Sequence, residues 1–166
     1  MNADAMRRHS AGRNAAVLAL LLVLCLAAGG LGALATEPNI PTWYAGLNKP
    51  PFNPPNAVFP VVWTILYVLM AIAAWLAWRS APAGKRWRVM VPFAVQLALN
   101  SAWSFAFFAA HNPWLGVGVI ACLLVAILWT MLAFARHSRA AAALLIPYLA
   151  WVGFATALNV SIAVLN

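Results

Sequence analysis

The chain has 166 residues, of which 66% are hydrophobic and 7% are charged, and its formal net charge is +8. So little polar surface excludes a soluble globular protein and predicts an all-α membrane protein. Asp4 and Glu37 are the only acidic side chains, which excludes catalysis by a carboxylate pair and a proton relay of buried acids. The basic residues lie in short clusters between apolar runs, a pattern typical of membrane topology rather than of nucleic-acid binding.

The N-terminal region combines a basic start with a long apolar run. Residues 1–14 contain Arg7, Arg8 and Arg13 without apolar periodicity, which predicts a disordered or interfacial basic tail. Residues 15–35 are uncharged and long enough to cross a bilayer core of about 30 Å, so they are predicted as the first membrane helix. A cleaved signal peptide is the alternative, although its apolar run is usually only about 7 to 15 residues long.

A proline-dense loop follows this helix. Five prolines within residues 43–67 fix φ and remove backbone donors, so residues 48–57 are predicted to be extended and ordered rather than helical. The aromatic neighbours of these prolines favour a lid over a ligand pocket. The alternative is an interfacial linker with the aromatic belt of a membrane protein. The predicted lid residues are Trp43, Phe52, Pro54 and Pro55.

Four more apolar runs complete a predicted bundle of five transmembrane helices, at residues 58–78, 89–110, 114–135 and 140–165. Their short connections predict antiparallel neighbours and a single domain over residues 15–166. Nine of the ten Lys and Arg residues lie in the tail and in the second and fourth connections, which leaves only Lys49 for the other side. The positive-inside rule therefore predicts a cytoplasmic N-terminus, and the choice between an inner and an outer bacterial membrane stays open.

Three of these helices carry aromatic and polar side chains at helical spacing. Because an unpaired amide in hydrocarbon is costly, the amides of Gln96 and Asn100 must face protein, water or ligand. Interhelical hydrogen bonds alone would satisfy them, but their position beneath an aromatic lid favours one central cavity. Such a cavity suits a planar apolar ring system, for example a tetrapyrrole. The ligand-binding residues predicted on these helices are Trp63, Tyr67, Asn100, Trp103, Phe107, Tyr148, Trp151 and Ala155.

The third predicted helix also carries an alanine ridge, with Ala94, Ala98, Ala102 and Ala106 at intervals of four residues. Small residues let another helix approach closely, so the ridge predicts either packing within the chain or, the interpretation we favour, a homodimer interface. His9, His111 and His137 lie in terminal or loop segments. No metal site and no required cofactor are therefore predicted.

Residues 43–55, WYAGLNKPPFNPP, and 58–67, VFPVVWTILY, resemble the signature of the TspO family. These are the tryptophan-rich sensory proteins related to mitochondrial translocator protein, the peripheral-type benzodiazepine receptor. Further similarity at residues 96–108 and 146–159 extends the resemblance over roughly residues 42–159. The resemblance implies a five-helix membrane protein that binds porphyrins and, in some members, sterols and synthetic aromatic ligands.

The resemblance also implies roles for individual residues. The positions that match the family's ligand-contacting ones, and are therefore expected to bind ligand, are Tyr44, Trp63, Asn100, Trp103, Trp151 and Ala155. Trp63 and Trp151 match tryptophans implicated in light-dependent porphyrin breakdown by some members, although no catalytic residue is firmly predicted. Phe52 stands where many relatives have Trp. No Lys or Arg follows Asn159, so the proposed L/V-x-Y-x-K/R sterol motif is absent from the last helix, which argues against sterol binding.

The sequence therefore predicts a membrane receptor or sensor for porphyrin-type tetrapyrroles, with slow photo-oxidative porphyrin degradation as a secondary activity. The alternative function is transport of hydrophobic small molecules. Transporters that work by alternating access usually show broken helices and repeated halves, and neither pattern is found in this sequence.

Overall fold

The computed structural model describes the backbone of residues 3–166 and the side chains of residues 12–166. This part of the chain is helical and contains no strand. Five helical segments are long and apolar enough to cross a membrane, which confirms the predicted fold class. The helices are α1 (Ala3–Thr36), α2 (Val58–Ser80), α3 (Arg86–Ser104), α4 (Pro113–Ala135), α5 (Arg139–Ala143) and α6 (Ile146–Leu165).

Single turns of tighter or wider helix flank these elements. A 3-10 turn, Glu37–Asn39, and a π turn, Ile40–Tyr44, follow α1, and a π turn, Phe105–Ala109, continues α3. A further 3-10 turn, Ala83–Lys85, precedes α3. No regular helix forms between residues 48 and 57, as predicted from the prolines of that loop.

The start of α1 differs from the prediction. The helix begins at Ala3 rather than near residue 15. The disordered alternative for the tail is therefore wrong for residues 3–14, whereas an interfacial tail stays a prediction, and His9 belongs to a helix. Residues 1 and 2 lie outside the described part. The Ala, Met and Arg residues in this stretch all have high helix propensity, and a membrane helix can continue past the apolar run that defines its span.

The last predicted helix is interrupted. Instead of running unbroken over residues 140–165, it consists of α5 and α6 joined at Leu144 and Leu145. The backbone N–H of Leu145 donates to the carbonyl of Ala142, three residues back, at 3.1 Å. Pro147 explains the break, because proline has no N–H to donate and its ring clashes with the carbonyl four residues earlier, that of Ala143.

The helices form a ring around a core rich in small side chains. α1 packs against α2 and α3, α4 packs against α3 and α6, and α5 packs against α2 and α4, whereas α2 and α6 touch over only a short length. In α2, Ala71, Ala73, Ala74 and Ala77 are fully buried, and alanines at these positions let the neighbouring helices approach closely.

The alanine ridge of α3 lies mostly on the surface of the bundle. Ala94, Ala98 and Ala102 are exposed, whereas Ala106 is buried. Packing within this chain therefore uses Ala106 and leaves the other three alanines uncovered. The predicted ridge shortens to residues 94–102, and Ala106 is excluded from any surface that a second chain could contact.

Candidate functional site

A cavity of about 420 Å³ lies between α1, α2, α3 and α6. Each helix contributes only the half nearest the loop of residues 45–57: α1 from Leu26 onward, α2 as far as Tyr67, α3 from Asn100 onward and α6 from Ala155 onward. The cavity therefore occupies one end of the bundle. Its remaining lining residues are Gly29, Gly30, Gly32, Ala33, Thr36, Glu37, Ile40, Tyr44, Asn56, Phe59, Pro60, Trp63, Thr64, Trp103, Ser104, Phe107, Phe108, Leu158, Asn159 and Ile162.

The α3 wall of the cavity is a fixed aromatic surface. The rings of Trp103 and Phe107 are stacked, with centroids 5.4 Å apart and planes 22° apart. The Trp103 Nε1–H donates to Oδ1 of Asn159 at 3.0 Å, and Nδ2 of Asn159 donates to the carbonyl of Pro113 at 2.9 Å. This chain of hydrogen bonds links α3, α6 and the start of α4, and it fixes the orientation of the Trp103 ring.

The floor of the cavity is a buried hydrogen-bond network. The Tyr67 hydroxyl donates to Oδ1 of Asn100 at 2.5 Å, and Nδ2 of Asn100 donates to the Tyr148 hydroxyl at 3.1 Å. Tyr148 in turn donates to Oε1 of Gln96 at 2.8 Å, and Nε2 of Gln96 lies 3.8 Å from the Met70 sulfur. The network satisfies polar groups whose burial would otherwise be costly, and it joins α2, α3 and α6.

Glycines of α1 form the opposite wall. A Cβ atom at Gly29 would lie 2.6 Å from Cε2 of Tyr67, and one at Gly32 would lie 3.0 Å from Oγ of Ser104. Only glycine therefore lets α1 approach these side chains so closely. The role of α1 as a cavity wall was not predicted from the sequence, although the cluster of Gly29, Gly30 and Gly32 was the available signal.

The turn Ile40–Tyr44 covers one side of the cavity. Tyr44 is 5% exposed, and its hydroxyl donates to Oδ1 of Asn53 at 2.9 Å. Burial raises the pKa of the Tyr44 phenol above its ordinary value, although the hydrogen bond with Asn53 acts in the opposite direction. The phenol is therefore neutral at physiological pH and remains a donor.

A second set of contacts fixes the same turn to the α3–α4 connection. The rings of Trp43 and His111 are stacked, with centroids 4.8 Å apart and planes 12° apart. A ring nitrogen of His111 lies 2.7 Å from Oδ1 of Asn39. His111 adopts a left-handed backbone conformation with φ of 51°, which is uncommon for a residue with a side chain. Through Trp43 these contacts hold the turn Ile40–Tyr44, and through Asn39 the turn before it, against the α3–α4 connection.

Seven of the nine predicted ligand-binding residues line the cavity: Tyr44, Trp63, Tyr67, Asn100, Trp103, Phe107 and Ala155. Tyr148 does not, because it is buried in the network below the floor. Trp151 lies in a separate apolar groove between α2 and α6, where its ring centroid is 5.9 Å from that of Phe59. Its Nε1 is buried without a hydrogen-bond partner in the described part of the protein.

The predicted lid residues do not line the cavity. Trp43 packs edge-on against Phe107 at a centroid distance of 5.4 Å. Phe52 is 48% exposed and contacts Phe154, and neither Pro54 nor Pro55 lines the cavity. The residues between α1 and α2 that line the cavity are Glu37, Ile40, Tyr44 and Asn56. Among residues 12–166, no group of three or more His, Cys, Asp or Glu residues is placed to hold a metal ion.

These features define an α-helical, multi-pass integral membrane protein with an aromatic-lined cavity at one end of its bundle. The sequence profile of the TspO/MBR family matches residues 21–165. The chain therefore belongs to the TspO/MBR family, as its loop motif indicated.

Curated relatives match most of the chain. The tryptophan-rich protein TspO of Chlorobaculum tepidum is 45% identical over 155 residues, which cover 90% of this chain and 95% of the relative. The tryptophan-rich sensory protein of Cereibacter sphaeroides is 35% identical over 151 residues, covering 91% and 92%. The translocator protein of Homo sapiens is 42% identical over 122 residues, covering 70% of each chain. This relationship supports a role as a membrane receptor or transporter.

Proposed function

We propose that the protein is a membrane receptor or sensor that binds porphyrin-type tetrapyrroles in the cavity between α1, α2, α3 and α6. The observation that supports this proposal is the aromatic wall, in which the Nε1–H of Trp103 donates to Oδ1 of Asn159 at 3.0 Å. A rigid flat face binds a planar ring with little loss of side-chain entropy. The cavity volume of about 420 Å³ falls within the range of roughly 300–1,000 Å³ typical of small-molecule sites.

The experiment is a titration with protoporphyrin IX in detergent, followed by quenching of tryptophan fluorescence. Ala155→Phe and Gly30→Phe both place a ring at the cavity, and a Cβ at Gly30 meets no atom within 4 Å. Gly153→Phe is the matched control, because Gly153 is exposed on α6, also has open space, and does not line the cavity.

Saturable quenching is expected for the wild-type protein and for Gly153→Phe. The two cavity variants should bind at least about tenfold more weakly, a loss of about 1.4 kcal/mol. Equal affinity in all four proteins, or quenching that never saturates, would overturn the proposal.

Light-dependent degradation of the bound porphyrin is the proposed secondary activity, and the placement of Trp63 supports it. Trp63 lines the cavity, whereas Trp151 does not. An indole at the wall can donate an electron to a photoexcited ring that stacks on it. The ring radical anion that forms can add dioxygen, which is the oxidant, and the indole radical cation recovers its electron from the dioxygen adduct. Trp63→Phe should therefore slow the bleaching of bound protoporphyrin IX under light, whereas Trp151→Phe should not. Equal bleaching rates in both variants would exclude Trp63 as the donor.

Transport of hydrophobic small molecules is the second candidate function, and the family relationship supports it. Binding is favoured here because the network of Tyr67, Asn100 and Tyr148 closes the cavity toward the bundle centre. Protoporphyrin flux across sealed proteoliposomes distinguishes the two functions. Saturable binding without flux is expected, and flux that is lost in Ala155→Phe would favour transport.

The proposed orientation places the N-terminus in the cytoplasm. The cation–π pairs of Arg79 over Trp75, at 4.4 Å, and Arg86 over Trp78, at 4.0 Å, belong to the end of α2 opposite the cavity. Basic residues are retained on the cytoplasmic side of membranes, so the cavity should open toward the other face. Labelling of single cysteines at positions 49 and 85 in intact spheroplasts tests this arrangement.

A further inference from the structure

Glu37 places a negative charge at the mouth of the cavity. It follows α1 directly and opens the turn Glu37–Asn39, and its exposed side chain is one of the lining groups. Thr36 and Ile40 line the cavity on its own side, and Asn56 and Thr64 line it from the second loop and α2. Of all the lining residues, Glu37 alone carries a formal charge at neutral pH.

Lys49 and His111, the basic side chains of the two adjoining connections, contact other atoms. Lys49 is the only Lys or Arg between residues 14 and 78. Its Nζ donates to the carbonyls of Leu47, at 3.0 Å, and Ala45, at 3.3 Å, and lies 4.7 Å from the centre of the Tyr44 ring. His111 is stacked on Trp43 and hydrogen-bonded to Asn39. The charge of Glu37 is therefore available to act on a ligand.

A porphyrin such as protoporphyrin IX carries two propionate groups on one edge of its ring. Burying these carboxylates against apolar walls without partners is costly, so that edge must stay at the mouth while the apolar edge enters. At the mouth the propionates meet Glu37, and like charges repel more strongly beside a low-dielectric wall than in bulk water. The apolar walls therefore keep the carboxylates of such a ligand at the mouth, where the charge of Glu37 repels them.

We propose that Glu37 determines specificity by charge, so that the cavity prefers planar ring ligands that are neutral or cationic at the mouth over those that carry carboxylates there. The inference rests on the proposed function, because it concerns which tetrapyrroles the same cavity selects. It makes protoporphyrin IX a weaker ligand than its own neutral ester.

The experiment measures the dissociation constants of protoporphyrin IX and of its dimethyl ester for the wild-type protein and for Glu37→Gln, in the same detergent at low ionic strength. Glu37→Gln should tighten binding of the dicarboxylate by about 3- to 10-fold, the effect of one unit charge several ångströms away in a partly aqueous setting. Binding of the ester should change by less than about twofold, because it has no charge to repel. At 0.5 M salt, where the Debye length falls below about 5 Å, the difference should shrink.

Glu37→Asp is the matched control, since it keeps the charge and changes only the reach of the side chain, and it should discriminate between the two ligands as the wild-type protein does. An equal effect of Glu37→Gln on both ligands, or no effect on either, would overturn the charge-based inference while leaving saturable binding in the cavity intact. A failure of both ligands to bind saturably to any of the proteins would instead overturn the proposed function, and the inference with it.

Discussion

The hydroxyl of Tyr67 on α2 donates a hydrogen bond to Oδ1 of Asn100 on α3 at 2.5 Å, and this pair forms the floor of the cavity. Tyr67 is 6% exposed and Asn100 is 4% exposed. The same Asn100 donates to Tyr148 on α6, so one amide links three helices. The hydrogen bonds of the floor therefore bound the candidate site and also link α2, α3 and α6 to one another.

Removal of the Tyr148 hydroxyl should destabilise the protein more than removal of the Tyr67 hydroxyl. Tyr148→Phe loses the bond to Gln96 and leaves Asn100 without an acceptor, whereas Tyr67→Phe loses only one bond. We expect a cost of about 1–3 kcal/mol for Tyr148→Phe and about 1 kcal/mol for Tyr67→Phe. Unfolding by SDS titration, with Tyr44→Phe as a control outside this network, gives the comparison. Equal costs for Tyr148→Phe and Tyr67→Phe would show that the second hydrogen bond of Tyr148 adds no stability.

Gly29→Ala should displace the Tyr67 ring. The new Cβ would lie 2.6 Å from Cε2 of Tyr67, so either α1 or the ring must move, and overpacking of this kind typically costs about 1–3 kcal/mol. Gly118→Ala is the control, since a Cβ there meets no atom within 4 Å. The thermal unfolding temperature in detergent should fall for Gly29→Ala and stay level or rise for Gly118→Ala. An equal change in unfolding temperature for both variants would mean that α1 moves to accommodate the new Cβ at position 29 without loss of stability.

The faces of the helices were predictable from the sequence, but the depth of the site was not. Helical spacing placed Ala155 on the correct side of α6, and this residue lines the cavity. Tyr148 lies on a similar stripe but seven residues earlier, which is about 10 Å along a helix axis. The helical period of about 3.6 residues predicts which side of the helix a residue faces, but not how far along the helix the cavity extends. Tyr148 was therefore predicted to line the cavity, whereas it lies in the hydrogen-bond network below the cavity floor.

Trp151 and the α1 wall show two further limits. The break between α5 and α6 at Leu144 and Leu145 was not predicted from the sequence. Trp151, which follows this break, lies in the groove between α2 and α6 rather than in the cavity. The glycines of α1 carry no side chain that suggests a binding role. The cavity wall that they form is recognised only from the close approach of the Tyr67 and Ser104 side chains in the folded protein. Apolar runs and prolines, in contrast, defined the five spans and the loop directly.

His111→Ala should loosen the turn that covers the cavity. The substitution removes the stacking on Trp43 and the hydrogen bond with Asn39, and it leaves a left-handed backbone that alanine adopts poorly. Backbone amides of residues 39–44 should exchange with deuterium at least about fivefold faster, which corresponds to roughly 1 kcal/mol of local stability. His137→Ala, at the α4–α5 connection, should leave those amides unchanged. Identical exchange in both variants would show that the turn is held by other contacts.

The homodimer predicted from the alanine ridge stays a prediction, and the exposure of the ridge sharpens its test. Ala94, Ala98 and Ala102 are uncovered in the single chain, and a helix of a second copy can approach closely only where side chains are this small. Ala98→Phe combined with Ala102→Phe should therefore convert a dimer into a monomer in detergent.

Light scattering corrected for bound detergent measures the change in protein mass. Val125→Phe is the control, since Val125 is 68% exposed on α4, and it adds similar bulk to a different surface. Two single variants distinguish an effect on assembly from an effect on folding. Ala106→Phe should lower the unfolding temperature because Ala106 is buried, whereas Ala98→Phe should not because Ala98 is exposed. An unchanged mass in the double variant would exclude α3 as the interface.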